Sequence, residues 1–217
     1  MAKHKVLIIF YSYTQQTRLL VKSFAEGIEQ AGGDAVLQRL EPVTPYEFPF
    51  KNSWRLAQVM IRTFFRERNK VHSIDAACSG DWDRIVLAGP TWSYHPSGPV
   101  LALIDQSGKR IFYGKKVIPF ISCRSYWRVH LWSLKRMLGR CGAQVEEPLV
   151  FDHPGREPWR FIGLLYQLRG RVGSRDQAWL RRHYPGYGHS REQREEAKRR
   201  GEILARQIIE EERVSQE

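Results

Sequence analysis

Residues 6–20 read Val6-Leu7-Ile8-Ile9-Phe10-Tyr11, then Ser12-Tyr13-Thr14-Gln15-Gln16-Thr17, then Arg18-Leu19-Leu20. That order leaves the chain few folds. A β-branched and aromatic run ends in a cluster of hydroxyls, and the cluster opens an apolar-periodic stretch, which predicts buried strand, tight loop and helix start. A helix N-terminus presents unpaired backbone N–H groups and a partial positive charge, a ready place for an anion. Ser12, Thr14 and Thr17 bring three hydroxyl donors to the same spot. Plain N-capping by Ser12 or Thr14 accounts for the same residues, and both readings stand at this point.

The rest of the chain repeats the alternation. A first helix is expected over residues 16–31, with Leu20, Val21, Phe24 and Ile28 on one stripe and Gly32-Gly33 closing it. Residues 35–40 form a second strand, and a strand–helix–strand unit implies a right-handed crossover and parallel pairing. Pro42, Pro45 and Pro49 forbid a regular helix over 41–50. Residues 53–68 then predict a core-packing helix, with Ala57, Met60, Ile61, Phe64 and Phe65 on one side and arginines 55, 62, 66 and 68 in solvent. Residues 84–89 form a third strand, followed by a loop to Pro99 and a short helix around Leu101 and Ile104. The fourth strand, 115–121, contains Pro119, which lacks an N–H and predicts a bulge or a gap in hydrogen bonding. Leu131, Leu134, Leu138 and Cys141 mark a helix closed by Gly142, and 144–151 is a fifth strand. A last helix spans 190–214, with Ala197, Gly201, Leu204, Ala205 and Ile208 covering the first strand's side of the sheet. Five strands alternating with helices make a doubly wound α/β sheet, and in such sheets ligands sit at the carboxyl ends of the strands. The loops Ser12–Thr17, Pro90–Gly98 and Ser122–Trp127 follow the first, third and fourth strands and lie at those ends.

A first strand followed by Ser12-x-Thr14-x-x-Thr17 and a helix resembles the FMN-phosphate loop of the flavodoxin-like family, with Gln15 where the family usually has Gly. Gly89-Pro90-Thr91-Trp92-Ser93-Tyr94-His95-Pro96 is similar to the flavin-ring loop of that family's reductases. The loop Ser122-Cys123-Arg124-Ser125-Tyr126-Trp127 departs from the small residues common there and resembles that of larger family members with Cys-Arg-x-x-Trp. The likeness covers residues 4–151 and resumes at the last helix. It implies an α/β fold with a five-stranded parallel sheet ordered 2-1-3-4-5, as a single domain over 1–217 with an insertion at 152–190.

The resemblance also implies FMN, held by Ser12, Tyr13, Thr14, Gln15, Gln16 and Thr17, by Pro90, Thr91, Trp92, Ser93 and Tyr94, and by Ser122, Cys123, Arg124 and Tyr126. A large, flat, mostly apolar ring wants an aromatic partner. Trp92 and Tyr94 alternate along the loop, so one can face the ring while the other packs inward. Bound flavin supplies the electron-transfer chemistry, so no catalytic residue is assigned. His95, Arg124 and Tyr126 are candidates for holding a substrate or a nicotinamide cofactor. Cys123 as a nucleophile lacks a His or Asp partner that can be placed beside it.

Composition narrows the function. The 217 residues carry a net charge of +12, which draws phosphate-bearing partners, whereas simple flavodoxins are usually acidic. Cys78, Cys123 and Cys141 are odd in number and widely spaced, against a disulfide framework or zinc site, and the scattered histidines give no metal cluster. No apolar run approaches 18 residues and the start has no signal-peptide shape, so a cytoplasmic protein is expected. No Gly-x-Gly-x-x-Gly or Gly-Lys-Ser/Thr loop occurs, and no specific nucleic-acid binding is expected. Within 152–190 an aromatic run, 158–169, is flanked by arginines 156, 160, 169, 171, 175, 181 and 182 against Asp152, Glu157 and Asp176. It reads as a loop packed on the sheet edge, a homodimer contact, or a segment lying on an anionic membrane surface. The function that follows is FMN-dependent reduction of a quinone or similar aromatic acceptor by NAD(P)H. The alternatives are a flavodoxin-type electron carrier and a non-catalytic or membrane-peripheral binding protein.

Overall fold

A computed structural model describes residues 4–74, 80–171, 182 and 187–216. Its elements in chain order are β1 (Lys5–Phe10), α1 (Gln16–Gln30), β2 (Asp34–Arg39), α2 (Ser53–Phe64), β3 (Arg84–Trp92), β4 (His95–Pro96), α3 (Gly98–Phe112), β5 (Lys116–Cys123), α4 (Trp127–Arg140), β6 (Gln144–Val145), β7 (Leu149–Asp152), α5 (Trp159–Leu168) and α6 (Arg191–Gln216). The main strands follow the order β2-β1-β3-β5-β6, with β7 also on β5. All these pairs are parallel. The expected 2-1-3-4-5 order is present, its fifth strand broken into β6 and β7.

Residues of β1 alternate between two cores, as the period of a strand buried on both faces demands. Leu7, Ile9 and Tyr11 join Leu101, Ile104, Phe112, Leu134 and Leu138 of α3 and α4. Val6, Ile8 and Phe10 join Phe24 and Ile28 of α1 and Ala197, Ala205 and Ile208 of α6. The last helix thus lies on α1, on the side expected for it. The contact is backbone-close: a methyl at Gly201 would fall on the Phe24 carbonyl oxygen, and one at Gly27 on the Lys198 carbonyl oxygen.

Pro119 sits in the middle of β5 without a bulge. Val117 faces the fifth strand, since its carbonyl accepts from Glu146 N at 2.9 Å. Two residues on, Pro119 faces the same way, and the partner is interrupted there: β6 pairs with 116–117 and β7 with 120–123. The missing donor falls in the hydrogen-bonding gap.

Three expectations are corrected. The helix after β3 is not short: α3 runs for 15 residues, because its buried apolar positions continue past Ile104 to Ile111 and Phe112. Helix α2 ends at Phe64 and does not pack as a core helix: it buries only Leu56 and Thr63, leaving Ile61, Phe64 and Phe65 at 56, 51 and 76% exposure. The described part of 152–190 is not an edge loop, since residues 159–168 form α5. Arg175, Asp176, Arg181 and Cys78 lie outside the described residues. Among the described residues no helix is long and apolar enough to cross a membrane.

Candidate functional site

The three loops meet at the carboxyl edge of the sheet around a cavity of about 690 Å³, well within the range of cofactor pockets. Tyr13, Thr14, Gln16 and Thr17 line it from the first loop, Pro90–Tyr94 from the second, and Ser122–Tyr126 from the third.

The first loop closes onto α1 through Gln15, whose φ of 65° is left-handed. This is the conformation glycine supplies at no steric cost, so the loop keeps a glycine-like turn with glutamine in place. Ser12 and Gln15 are not among the residues that line the cavity. Ser12 Oγ accepts from Arg18 N at 3.2 Å and Gln15 Oε1 from Arg18 Nη1 at 3.3 Å. Capping of a donor in the first turn and an open helix end therefore coexist: no side chain of Gln15 caps α1, and Thr14 and Thr17 face the cavity beside that end. Helix α4 opens in the same way, behind Tyr126 at φ 57° with no side-chain cap. The α1 end and the two hydroxyls beside it suit a phosphate.

The second loop is a two-residue hairpin. Thr91 and Trp92 pair antiparallel with Pro96 and His95, and Ser93 and Tyr94 both take positive φ, 44° and 74°, the geometry of a type I′ turn. Neither is glycine, and the strain is held by anchoring: Ser93 Oγ lies 2.9 Å from Thr63 Oγ1 and 3.1 Å from Met60 O of α2. The inward–outward alternation is resolved. Trp92 turns in, its ring 5.5–5.8 Å from those of Tyr11, Tyr13 and Tyr46. Tyr94 turns out, 5.5 Å from Tyr126 and 6.5 Å from Phe64. Thr91 Oγ1 meets His130 Nδ1 at 2.8 Å, and burial pushes His130 down to about 3, so that imidazole is neutral.

His95 is not in the cavity lining; it lies behind the hairpin near His130 and Arg66, where burial lowers its pKa. Arg124 does line it, paired with Glu157 and 5.1 Å over the Phe161 ring. Burial pushes the Cys123 thiol up to about 12, so it remains protonated and is a poor nucleophile. Among the described residues no group of His, Cys, Asp or Glu is placed to hold a metal ion.

Two parts of the site lie outside the sequence-derived set. Helices α2 and α5 wall the cavity with Leu56, Met60, Ile61, Phe64, Phe161 and Leu164. They are tied together where Phe50 N donates to Leu168 O at 2.8 Å and Arg169 bonds Ser53. Their apolar periodicity was indistinguishable from a core signal. The other part is a histidine pair at the end of β7. His189 Nε2 sits 2.7 Å from Ser122 Oγ, and its ring is 4.6 Å from that of His153. His153 Nδ1 is buried with no hydrogen-bond partner among the described residues, while the residue lines the cavity. Burial drives His153 to about 3 and His189 to about 4. The carboxyl-edge rule was the available signal, since His153 directly follows the fifth strand.

Fold and site together define a flavodoxin-like α/β protein. No protein-family model matches the chain. It is 24% identical over 156 residues to an NAD(P)H dehydrogenase (quinone) of Archaeoglobus fulgidus, an alignment covering 70% of this chain and 65% of that one. The chain thus spans less than two thirds of that relative's length. Among solved structures it is similar to a flavoprotein in complex with FMN from Lactobacillus acidophilus (TM-score 0.52, 20% identity, 69% of this chain and 93% of that one). It is also similar to a flavodoxin from the domain Archaea (TM-score 0.54, 11% identity, 94% and 99%).

Proposed function

We propose that the chain is an FMN-binding oxidoreductase that moves two electrons from NAD(P)H to a quinone or similar flat aromatic acceptor. The overall balance is NAD(P)H, a proton and quinone giving NAD(P)⁺ and quinol. The observation that carries the reading is the cavity itself: a helix end that the Gln15 side chain leaves open, with Thr14 and Thr17 at one side, and aromatic, largely apolar walls at the other. The relative's name and the FMN complex of the structural neighbour support it.

The donor set fits FMN. Thr14, Thr17 and the α1 amide end would take the phosphate, and Tyr94 and Tyr126 offer aromatic surface for the ring. Ser12 and Gln15 act on the loop's shape, Ser12 by capping and Gln15 by its turn. Pro90, Thr91, Ser93, Ser122, Cys123 and Arg124 complete the walls. FMN supplies the two-electron chemistry when bound. The chain's own residues position and exclude. Trp92 is held inward as a floor, α2 and α5 keep water from the apolar side, and His153 offers a neutral ring nitrogen to a polar atom in the cavity.

The proposed domain is one unit over 1–217, with 152–190 as an insertion that contributes a wall of the cavity. Within that insertion, an anionic membrane surface and a second copy of the chain compete as partners of α5. A carrier of single electrons is the weaker reading, because an apolar cavity walled by two extra helices provides for an organic acceptor. The test is steady-state oxidation of NADH and NADPH by FMN-loaded protein with a soluble benzoquinone. Turnover that needs all three components supports the enzyme. Flavin-loaded protein that leaves NAD(P)H unconsumed contradicts it.

A further inference from the structure

Helix α2 is apolar on two opposite faces. Leu56, Met60 and Thr63 follow one stripe toward the body of the protein, and Leu56 and Thr63 are buried. Trp54, Ile61 and Phe65, spaced by seven and four residues, share the opposite stripe and are 67, 56 and 76% exposed. A soluble helix normally gives that second stripe to charged side chains. Phe64 and Phe48 extend the surface at 51 and 44% exposure, and Phe161 of α5 adds to it at 36%. Ile61, Phe64, Phe65 and Phe161 also line the cavity, so the exposed surface and the cavity wall are continuous.

The charge around this surface is net positive. Segments 41–74 and 153–171 carry ten Lys and Arg against four Asp and Glu, half the net charge of the chain in under half its length. Arg55 and Arg62, on α2 itself, keep 69 and 63% of their side chains exposed while touching Glu47 and Glu67. Exposed aromatics ringed by arginine match a bilayer interface with anionic headgroups, where the rings enter the acyl boundary and the guanidinium groups meet phosphate. A second copy of the chain would bring the same positive charge against itself.

We propose that the outer stripe of α2 and the adjoining Phe161 of α5 dock the protein on an anionic lipid surface. The cavity mouth opens within that contact, so an acceptor dissolved in the lipid, such as a quinone with an apolar tail, enters without crossing water. The docking rests on the exposed face alone; the nature of the acceptor rests on the oxidoreductase reading above.

The test is sedimentation of the full chain with vesicles of phosphatidylcholine alone or mixed with phosphatidylglycerol, at low and high salt. The wild type is expected to sediment with the anionic vesicles, less so at high salt, and weakly with the neutral ones. Trp54→Ser combined with Phe65→Ser should weaken partitioning roughly thirty-fold, from the apolar surface no longer entering lipid. Arg55→Gln with Arg62→Gln should abolish most of the salt dependence. Both substituted pairs lie on exposed positions, and unchanged circular dichroism and melting temperature verify folding. Absence of sedimentation, or partitioning indifferent to the aromatic pair, overturns the proposal. So does analytical ultracentrifugation showing a dimer that Trp54→Ser/Phe65→Ser converts to monomer, since the face is then covered by a second copy. A parallel FMN titration separates the two readings. Vesicle binding without flavin binding leaves the docking and removes the acceptor; flavin binding without vesicle binding removes the docking alone.

Discussion

Replacing Thr17 by Val isolates the phosphate end of the cavity. Thr17 lies in the first turn of α1 at 2% exposure and lines the cavity. Valine keeps the branched shape, and its helix propensity is close to that of threonine, so the helix is retained, and urea unfolding of the apo-protein checks that the fold is intact. What goes is one hydroxyl facing the site of a doubly charged group. A hydrogen bond to a charged partner is worth about 1.5–3 kcal/mol, which is roughly a 10- to 150-fold rise in the FMN dissociation constant. Riboflavin has the same ring and ribityl chain without the phosphate, so its affinity should be untouched. The assay is quenching of flavin fluorescence, run with both flavins on wild type and Thr17→Val. The predicted result is a collapse of the preference for FMN over riboflavin. Parallel weakening of both flavins, or no change in either, would refute the assignment of this corner to a phosphate.

Other outcomes follow from the packing and the buried histidines. His130 and His153 are held near 3 and His189 near 4, mainly by burial, with Arg160 and Arg124 adding to the shift at His153 and Asp152 opposing it at His189. The unfolded chain therefore binds more protons below about 6.5, and stability present above that pH is lost as pH falls toward the folded values, by up to about 1.4 kcal/mol per pH unit for each histidine. Melting temperature should drop from pH 7 to pH 5, and His189→Gln should flatten the slope. Gly201→Ala drives a methyl into the Phe24 carbonyl across the α1–α6 contact and should cost about 2 kcal/mol or more in urea unfolding. Arg84, 6% exposed in its side chain, joins Glu146 at 2.9 Å and Glu211 at 2.7 Å, linking β3 to the β6 edge and α6. Arg84→Leu should cost about 2 kcal/mol, read as a lower urea midpoint at constant slope.

The parallel sheet was legible because β1, β3 and β5 are apolar on both faces, as buried parallel strands require, whereas the strand order and the meeting of the three loops were implied by the resemblance to the flavodoxin-like family. The break in the fifth strand was half legible: Pro119 announced a missing bond, but only the register shows that the gap lies opposite 146–148. In α2, Trp54, Ile61 and Phe65 form a second apolar stripe that periodicity cannot distinguish from a core face, because hydrophobicity carries no label for the environment it enters. Gln15 was informative in the opposite sense. The sequence shows a departure from glycine, whereas the backbone angle of 65° shows the glycine-like turn retained. His153 and His189 are far apart in sequence, and the fold brings their rings to 4.6 Å with His189 anchored by Ser122 and Gln16.

The account stands most directly on the flavin itself. Protein mixed with excess FMN and passed through a desalting column should emerge yellow, with one flavin per chain and a perturbed absorption band, and should retain riboflavin far less. Protein that emerges colourless, with all FMN in the small-molecule fractions, would contradict the assignment of the cavity and leave only the flavodoxin-like fold.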